Sequence, residues 1–215
     1  VDDDNVGPSG PGGVGDVNSL ALWLRADAGT NASPGGGPAS DGAQVGQWVD
    51  QSGNGHDFTR SGSGRPSLQA NAINGRPALA FTPSDSEFLV DADGSDQYIN
   101  GEPGFSLFTV SEADDTGSEA GVFVADSGND RGSGSDQNDA VSLRQDPDNG
   151  GSDERFEVGV STTEGGGTDR TFNSNNGTLS TDPQLLQLDW SSGSDFTFYL
   201  NGTSEGSVAA PAALR

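Results

Sequence analysis

Carboxylates dominate the polar residues of this chain, and three kinds of chemistry compete for them. The first is acid–base work on a glycosidic bond, which needs two carboxyl groups about 5–10 Å apart across a sugar. Glu112 and Asp114, with Glu119 beyond them, come nearest to that pattern. A Gly117-Ser118 turn cuts Glu119 off from the strand face of the other two, so no catalytic residue is assigned. The second is calcium binding, which takes carboxylate and carbonyl oxygens. Three loops offer them: Asp50 with Asn54 and Asp57, Asp91 with Asp93 and Asp96, and Asp126 with Asn129 and Asp130. In the second, Gly94 comes too early for an EF-hand, and no bidentate Glu follows at the required spacing. The third is purely local. At a strand end, the Asp50 carboxylate can accept bonds from loop amides such as those of Ser52 and Gly53. Calcium is thus the one cofactor the residues suggest, and a fastening role competes with it at Asp50.

His56 is the only histidine, and there is no cysteine. Thiolate and His-rich zinc sites are thereby excluded, and any Ser-His-Asp arrangement would have to centre on His56. A loop-packing role is expected for it. Binding a sugar calls for an exposed aromatic among polar groups. Trp23 and Trp48 lie within apolar runs and read as core. Trp190, ending its run before Ser191-Ser192-Gly193, and Tyr98 are the ligand-binding candidates. Asn31, Asn176 and Asn201 each begin an Asn-x-Ser/Thr sequon, the acceptor signal for glycosylation outside the cell.

These residues must be positioned by short strands. Leu20–Leu24 alternates Leu20, Leu22 and Leu24 against Trp23. Apolar runs follow at Ala78–Phe81, Phe88–Val90, Phe105–Val110, Gly121–Ala125, Ala140–Leu143, Phe156–Val160, Leu185–Trp190 and Phe196–Leu200. Phe105, Leu107 and Thr109 alternate with Ser106, Phe108 and Val110, which predicts a strand covered on both faces. Phe196, Phe198 and Leu200 alternate with Thr197 and Tyr199, giving one buried face. Asn74-Gly75 and Asn201-Gly202 are hairpin turn signals. No amphipathic helix is discernible, so the class is all-β, a two-sheet antiparallel β-sandwich. Residues 1–17, acidic and rich in Gly and Pro, read as a flexible leader, and residues 18–215 as one domain. Long acidic loops at 126–139 and 146–154 exceed what a sandwich needs, and such loops are where binding concentrates.

Nine basic against 33 acidic residues give a net charge of −24, and every basic residue is Arg. Such a surface fits a protein adapted to strong brine, where salt screens self-repulsion. Nucleic acid is excluded as a partner by the same charge. The apolar content of 30 % is low, so the expected core is small. No apolar run is long enough to span a membrane. The chain opens at Val1 and holds no Met, which fits a mature, processed protein or a trimmed one, while the three sequons point to an extracellular or cell-surface location.

The order Leu20–Asp27, Trp48-Val49-Asp50-Gln51-Ser52-Gly53-Asn54-Gly55-His56-Asp57, Asn74-Gly75-Arg76-Pro77 and Asp85–Leu89 resembles the laminin G-like branch of the concanavalin A-like lectin and glucanase superfamily. The loop fits that family's W-x-D-x-S-G-N-G-x-D pattern. The resemblance implies a jelly-roll sandwich and a lectin-like or adhesion function, with polysaccharide or a neighbouring protein subunit as ligand. A structural subunit of a filament, surface layer or virion is the alternative. In the superfamily's retaining glucanases the catalytic carboxylates follow Glu-x-Asp-x-x-Glu, which residues 112–119 do not match. The resemblance also implies a further apolar strand after the Asn201-Gly202 hairpin. Pro211–Arg215 do not supply one, which fits either a chain cut short at Arg215 or an edge open to homopolymer formation by strand addition.

Overall fold

The computed structural model describes residues 20–91, 102–114, 120–126, 139–146, 154–160, 170–175 and 177–209. Among these, all regular structure is antiparallel β apart from one 3-10 turn at Pro83–Asp85. The all-β expectation therefore holds. The chain divides into two compact units, Val1–Asp93 and Gly94–Arg215.

The first unit is built from very short strands. β1 (Thr30–Asn31), β2 (Gln47–Trp48), β3 (Phe58–Thr59) and β6 (Val90–Asp91) form one sheet in the order β1-β2-β3-β6. β4 (Ser67–Ile73) and β5 (Arg76–Ala80) make a hairpin. Its turn places Asn74 at φ 51° and Gly75 at φ 74°, the two left-handed positions that an Asn-Gly pair adopts at low cost. Val45 is fully buried, and its amide donates to Pro66 O. Leu20–Leu24, expected as a strand, joins no ladder. Side-chain bonds from the loop after β2 hold it instead, because Asp50 accepts from the Trp23 amide while Ser52 and Asn54 donate to the carbonyls of Leu20 and Ala21.

In the second unit the two-residue period controls packing. β7 (Gly104–Ser111), β12 (Gln184–Ser191), β13 (Phe196–Leu200) and β14 (Thr203–Val208) form a sheet ordered β14-β13-β12-β7. β8 (Ala120–Asp126), β9 (Asp139–Asp146), β10 (Arg155–Val160) and β11 (Arg170–Asn173) form another, ordered β11-β10-β9-β8. Leu186, Leu188, Trp190, Phe196, Phe198 and Leu200 from the first sheet share one apolar cluster with Val141, Leu143, Phe156 and Val158 from the second. Phe156 and Phe198 meet across it with ring centroids 5.8 Å apart. Each such side chain contributes roughly 1.5–3 kcal/mol on burial.

β14 flanks β11, where the Phe172 ring occupies the space that a Cβ on Gly206 would need. Among the described residues β14 is thus the last strand of its ladder, flanked by β11 but not paired with it. β7 departs from expectation in the opposite sense. Phe105 and Leu107 pack on the core, whereas Phe108 is 59 % exposed and Val110 56 %. Only one side of this strand faces the shared cluster, so the outward apolar residues stay in solvent.

Candidate functional site

The most densely bonded polar group lies in the loop from Val49 to Asp57, which joins β2 to β3. Trp48 faces Phe58 and Gln47 faces Thr59 across the pair, so Asp57 returns the chain to where it left. Asp57 closes the neck: its Oδ1 accepts from the Asp50 amide (3.0 Å) and its Oδ2 from Gln47 Nε2 (2.9 Å). Gly53 and Gly55, at φ 95° and 85°, give the loop turns that side chains oppose.

Asp50 sits at the centre, buried. Its Oδ1 accepts from the amides of Trp23 and Ser52, each at 2.9 Å. Its Oδ2 accepts from the Ser52 hydroxyl at 2.6 Å and the His56 amide at 3.2 Å. A carboxylate has about four acceptor sites, and these donors occupy them. Burial pushes the Asp50 carboxyl up, but the Ser52 hydroxyl and the Trp23, Ser52 and His56 amides outweigh it and leave the group below the usual carboxylate range. Asn54 Nδ2 donates to Leu20 O (2.9 Å) and Ala21 O (3.0 Å), and the Gln51 amide to Trp23 O (2.8 Å). The loop is a clip for the 20–25 segment.

The first calcium triplet lies within this clip. Asp50, Asn54 and Asp57 do come together, but their polar atoms fasten backbone and one another. The second loop is only part-described: Asp91 is buried on β6, with its Oδ2 3.3 Å from His56 Nδ1. His56 therefore bridges the clip and β6, a contact between residues far apart in the chain that spacing does not reveal. Asp93, Asp96 and Tyr98 lie outside the described residues, as do Asn129 and Asp130; Asp126 ends β8. Among the described residues no three His, Cys, Asp or Glu side chains gather as a metal site. Glu112 and Asp114 follow the end of β7 and are exposed, and Glu119 is outside the described residues.

The aromatic assignments exchange places. Trp190, expected as a ligand platform, is 4 % exposed, stacked on Phe196 at 5.5 Å and tilted against Phe105 at 6.2 Å. It belongs to the alternating inward face of β12, one position before the strand ends, and so cannot offer a face to a ligand. Trp23 and Trp48, expected as core, are both only half-buried. Trp48 Nε1 donates to Arg25 O (2.9 Å), and the Arg25 guanidinium lies over the Trp23 ring, 5.2 Å from its centroid. The same guanidinium forms a two-pronged pair with Asp27, at 2.7 and 2.8 Å, which holds the Asp27 carboxyl below its usual range. Two indoles, a cation and an anion thus form one surface cluster on the clipped segment. The Arg25-Ala26-Asp27 spacing is its only sequence signal.

The sequons also separate. Asn31 lies in β1 with Nδ2 bonded to Gln47 Oε1 at 3.0 Å. Asn201 occupies the exposed turn between β13 and β14, where its Oδ1 caps the Leu185 amide at 2.9 Å. Asn176 lies outside the described residues.

Comparison with protein-family models, curated proteins and solved structures gives no match for this chain. No helix among the described residues is long and apolar enough to cross a membrane.

Proposed function

We propose that this chain is a salt-adapted, extracellular lectin-like adhesion module that binds polysaccharide through the Trp23–Arg25–Asp27–Trp48 surface. In this reading the second unit is a jelly-roll sandwich that serves as scaffold. The family part of the proposal rests on the loop pattern from Trp48 to Asp57 and on the two sheets that share one apolar cluster.

The observation that carries the binding role is the fixed geometry of the surface. A clip with a saturated central carboxylate holds two partly exposed indoles next to an exposed Arg–Asp pair. An indole face offers apolar contact to the C–H face of a sugar, while Arg25 and Asp27 offer a donor and an acceptor to its hydroxyls. Because the clip is already ordered, little conformational entropy remains to be lost on binding.

The test is a glycan array at molar salt with the parent chain and with Arg25→Ala and Asp27→Ala. Binding by the parent that falls at least tenfold in both variants, with melting unchanged to within a few degrees, supports the reading. Retention of a protein neighbour in place of any glycan moves the ligand to the other class. Glycan binding that neither substitution alters refutes the assigned surface.

A further inference from the structure

An N-linked glycan needs an asparagine whose amide nitrogen can be reached and whose surroundings have room for a sugar. Two of the three sequons lie among the described residues, and the fold treats them differently. Asn31 is half-buried in β1, with its Nδ2 turned to Gln47 Oε1 at 3.0 Å. Asn201 is exposed, as are Gly202 and Thr203, which complete its sequon at the turn between β13 and β14. The Asn201 amide donates to Leu185 O at 2.8 Å, and its Oδ1 accepts from the Leu185 amide at 2.9 Å. No hydrogen bond among the described residues engages its Nδ2. The side chain is thus held by its oxygen, and its nitrogen is left over.

What lies beside that nitrogen is apolar. Leu186 pairs with Leu200, so Leu185 stands opposite Asn201, and Val110 stands opposite Leu185 on the far side of β12. Asn201, Leu185 and Val110 form one row across the outward face of the sheet, with Phe108 two residues along β7. Leu185 is 40 % exposed, Val110 56 % and Phe108 59 %. They are three of the six large apolar side chains exposed among the described residues, so the exposure is concentrated here. A cover tethered to Asn201 need not approach a chain of charge −24 from solution, as a free anionic partner would.

We propose that Asn201 carries an N-linked oligosaccharide whose first sugars lie over Leu185, Val110 and Phe108. The donor is a lipid-phosphate-linked oligosaccharide. Asn201 Nδ2 forms a bond to C1 of its first sugar, and the bond from C1 to the phosphate oxygen breaks. The lipid phosphate leaves with the electron pair, and the Nδ2 proton passes to a base of the transferase. The product is a secondary amide, which like a peptide bond prefers the trans form. In that form C1 lies on the same side of the C–N bond as Oδ1, and Oδ1 points at the Leu185 amide. The sugar therefore starts out towards β12. Val110 is two strand spacings from Asn201, about 10 Å, within reach of the first sugars. A sugar ring sets its C–H face against such side chains and its hydroxyls towards water. The inference rests on the extracellular placement proposed above and not on the Trp23–Trp48 surface.

The test is peptide mapping of the native protein by mass spectrometry. Cleavage before aspartate separates the sequons: Asn31 falls between Asp27 and Asp41, Asn176 between Asp169 and Asp182, and Asn201 in the peptide that starts at Asp195. A glycan is expected on the Asp195 peptide and none on the Asn31 peptide. Thr203→Ala, made in the same host, removes the sequon but keeps Asn201 and its bonds to Leu185. In molar salt this variant is expected to bind the neutral dye Nile red several-fold more than the parent, with melting within a few degrees. Adding Phe108→Ser should remove most of that gain. A bare Asn201 in the native protein overturns the proposal, and a glycan on Asn31 or Asn176 alone does so while leaving the extracellular placement standing. A glycan on Asn201 with dye binding unchanged in Thr203→Ala overturns the covering of the patch. Array binding through Arg25 and Asp27 is read separately in Thr203→Ala, so the failure of either reading is told from that of the other.

Discussion

At the scale of single residues, Asp50 is the most consequential side chain of the first unit. Its substitution by Ala leaves three amides and a hydroxyl without their acceptor. Each buried loss costs about 1–3 kcal/mol and the losses do not add in full, so about 3–5 kcal/mol is expected from denaturant unfolding. The pH dependence has a definite sign. Asp50 titrates lower when folded than its unfolded value of about 3.9, so its contribution is complete above that pH and drains as pH falls through the folded value. Acid also discharges every other carboxylate, so the parent must be compared with Asp50→Asn. The stability gap between them should close as pH drops below 4 or so, and a constant gap would contradict the carboxylate's role. Since donors fill the Asp50 acceptors, chelator at fixed ionic strength is expected to leave the melting of the first unit unchanged. A drop reversed by calcium but not by magnesium would reinstate an ion there. The fastening role of Asp50 was legible because Asp beside Ser and Gly at a strand end is a local device. Its bonds to Trp23 and the approach of His56 to Asp91 were not, because each joins residues far apart in sequence.

At the scale of elements, alternation located the strands of the second unit well and the burial of their faces less well. Phe196, Phe198 and Leu200 point inward as the two-residue period implies. β7 shows the limit: apolar residues at successive positions state that both faces are hydrophobic, not that both are covered. Trp190 fails for a related reason, since the polar residues after it describe the next turn and leave the strand face undetermined. In the first unit, Leu20–Leu24 has strand-like composition yet lacks a ladder, because partner availability is a tertiary property. The seam between β11 and β14 gives the element-scale prediction. Gly206 has φ 145° and no room for a Cβ beside Phe172, so Gly206→Ala is expected to cost about 2–4 kcal/mol. The companion change Phe172→Leu should recover part of that loss if crowding is its cause, and no recovery would leave backbone strain as the whole explanation.

At the scale of the whole molecule, charge sets the conditions under which the small core suffices. The Debye length grows from ~3 Å at 1 M salt to ~10 Å at 0.1 M, so lowering the ionic strength uncovers repulsion among 33 acidic side chains. Small-angle scattering in a salt titration is expected to show the radius of gyration rising below roughly 0.5 M. An unchanged radius down to millimolar salt would show that the core outweighs the charge. The pairing of β7 with β12 also has a meaning in time. Everything from Glu112 to Pro183 lies between the two strands. A ribosome adding ~5–20 residues per second leaves β7 waiting on the order of several seconds for its ladder partner β12. For that interval an uncharged strand, apolar on both faces, is held by a nascent chain whose remaining sequence is strongly acidic. Salt then acts in two directions, since the screening that quiets repulsion in the finished fold also lets unfinished chains approach one another.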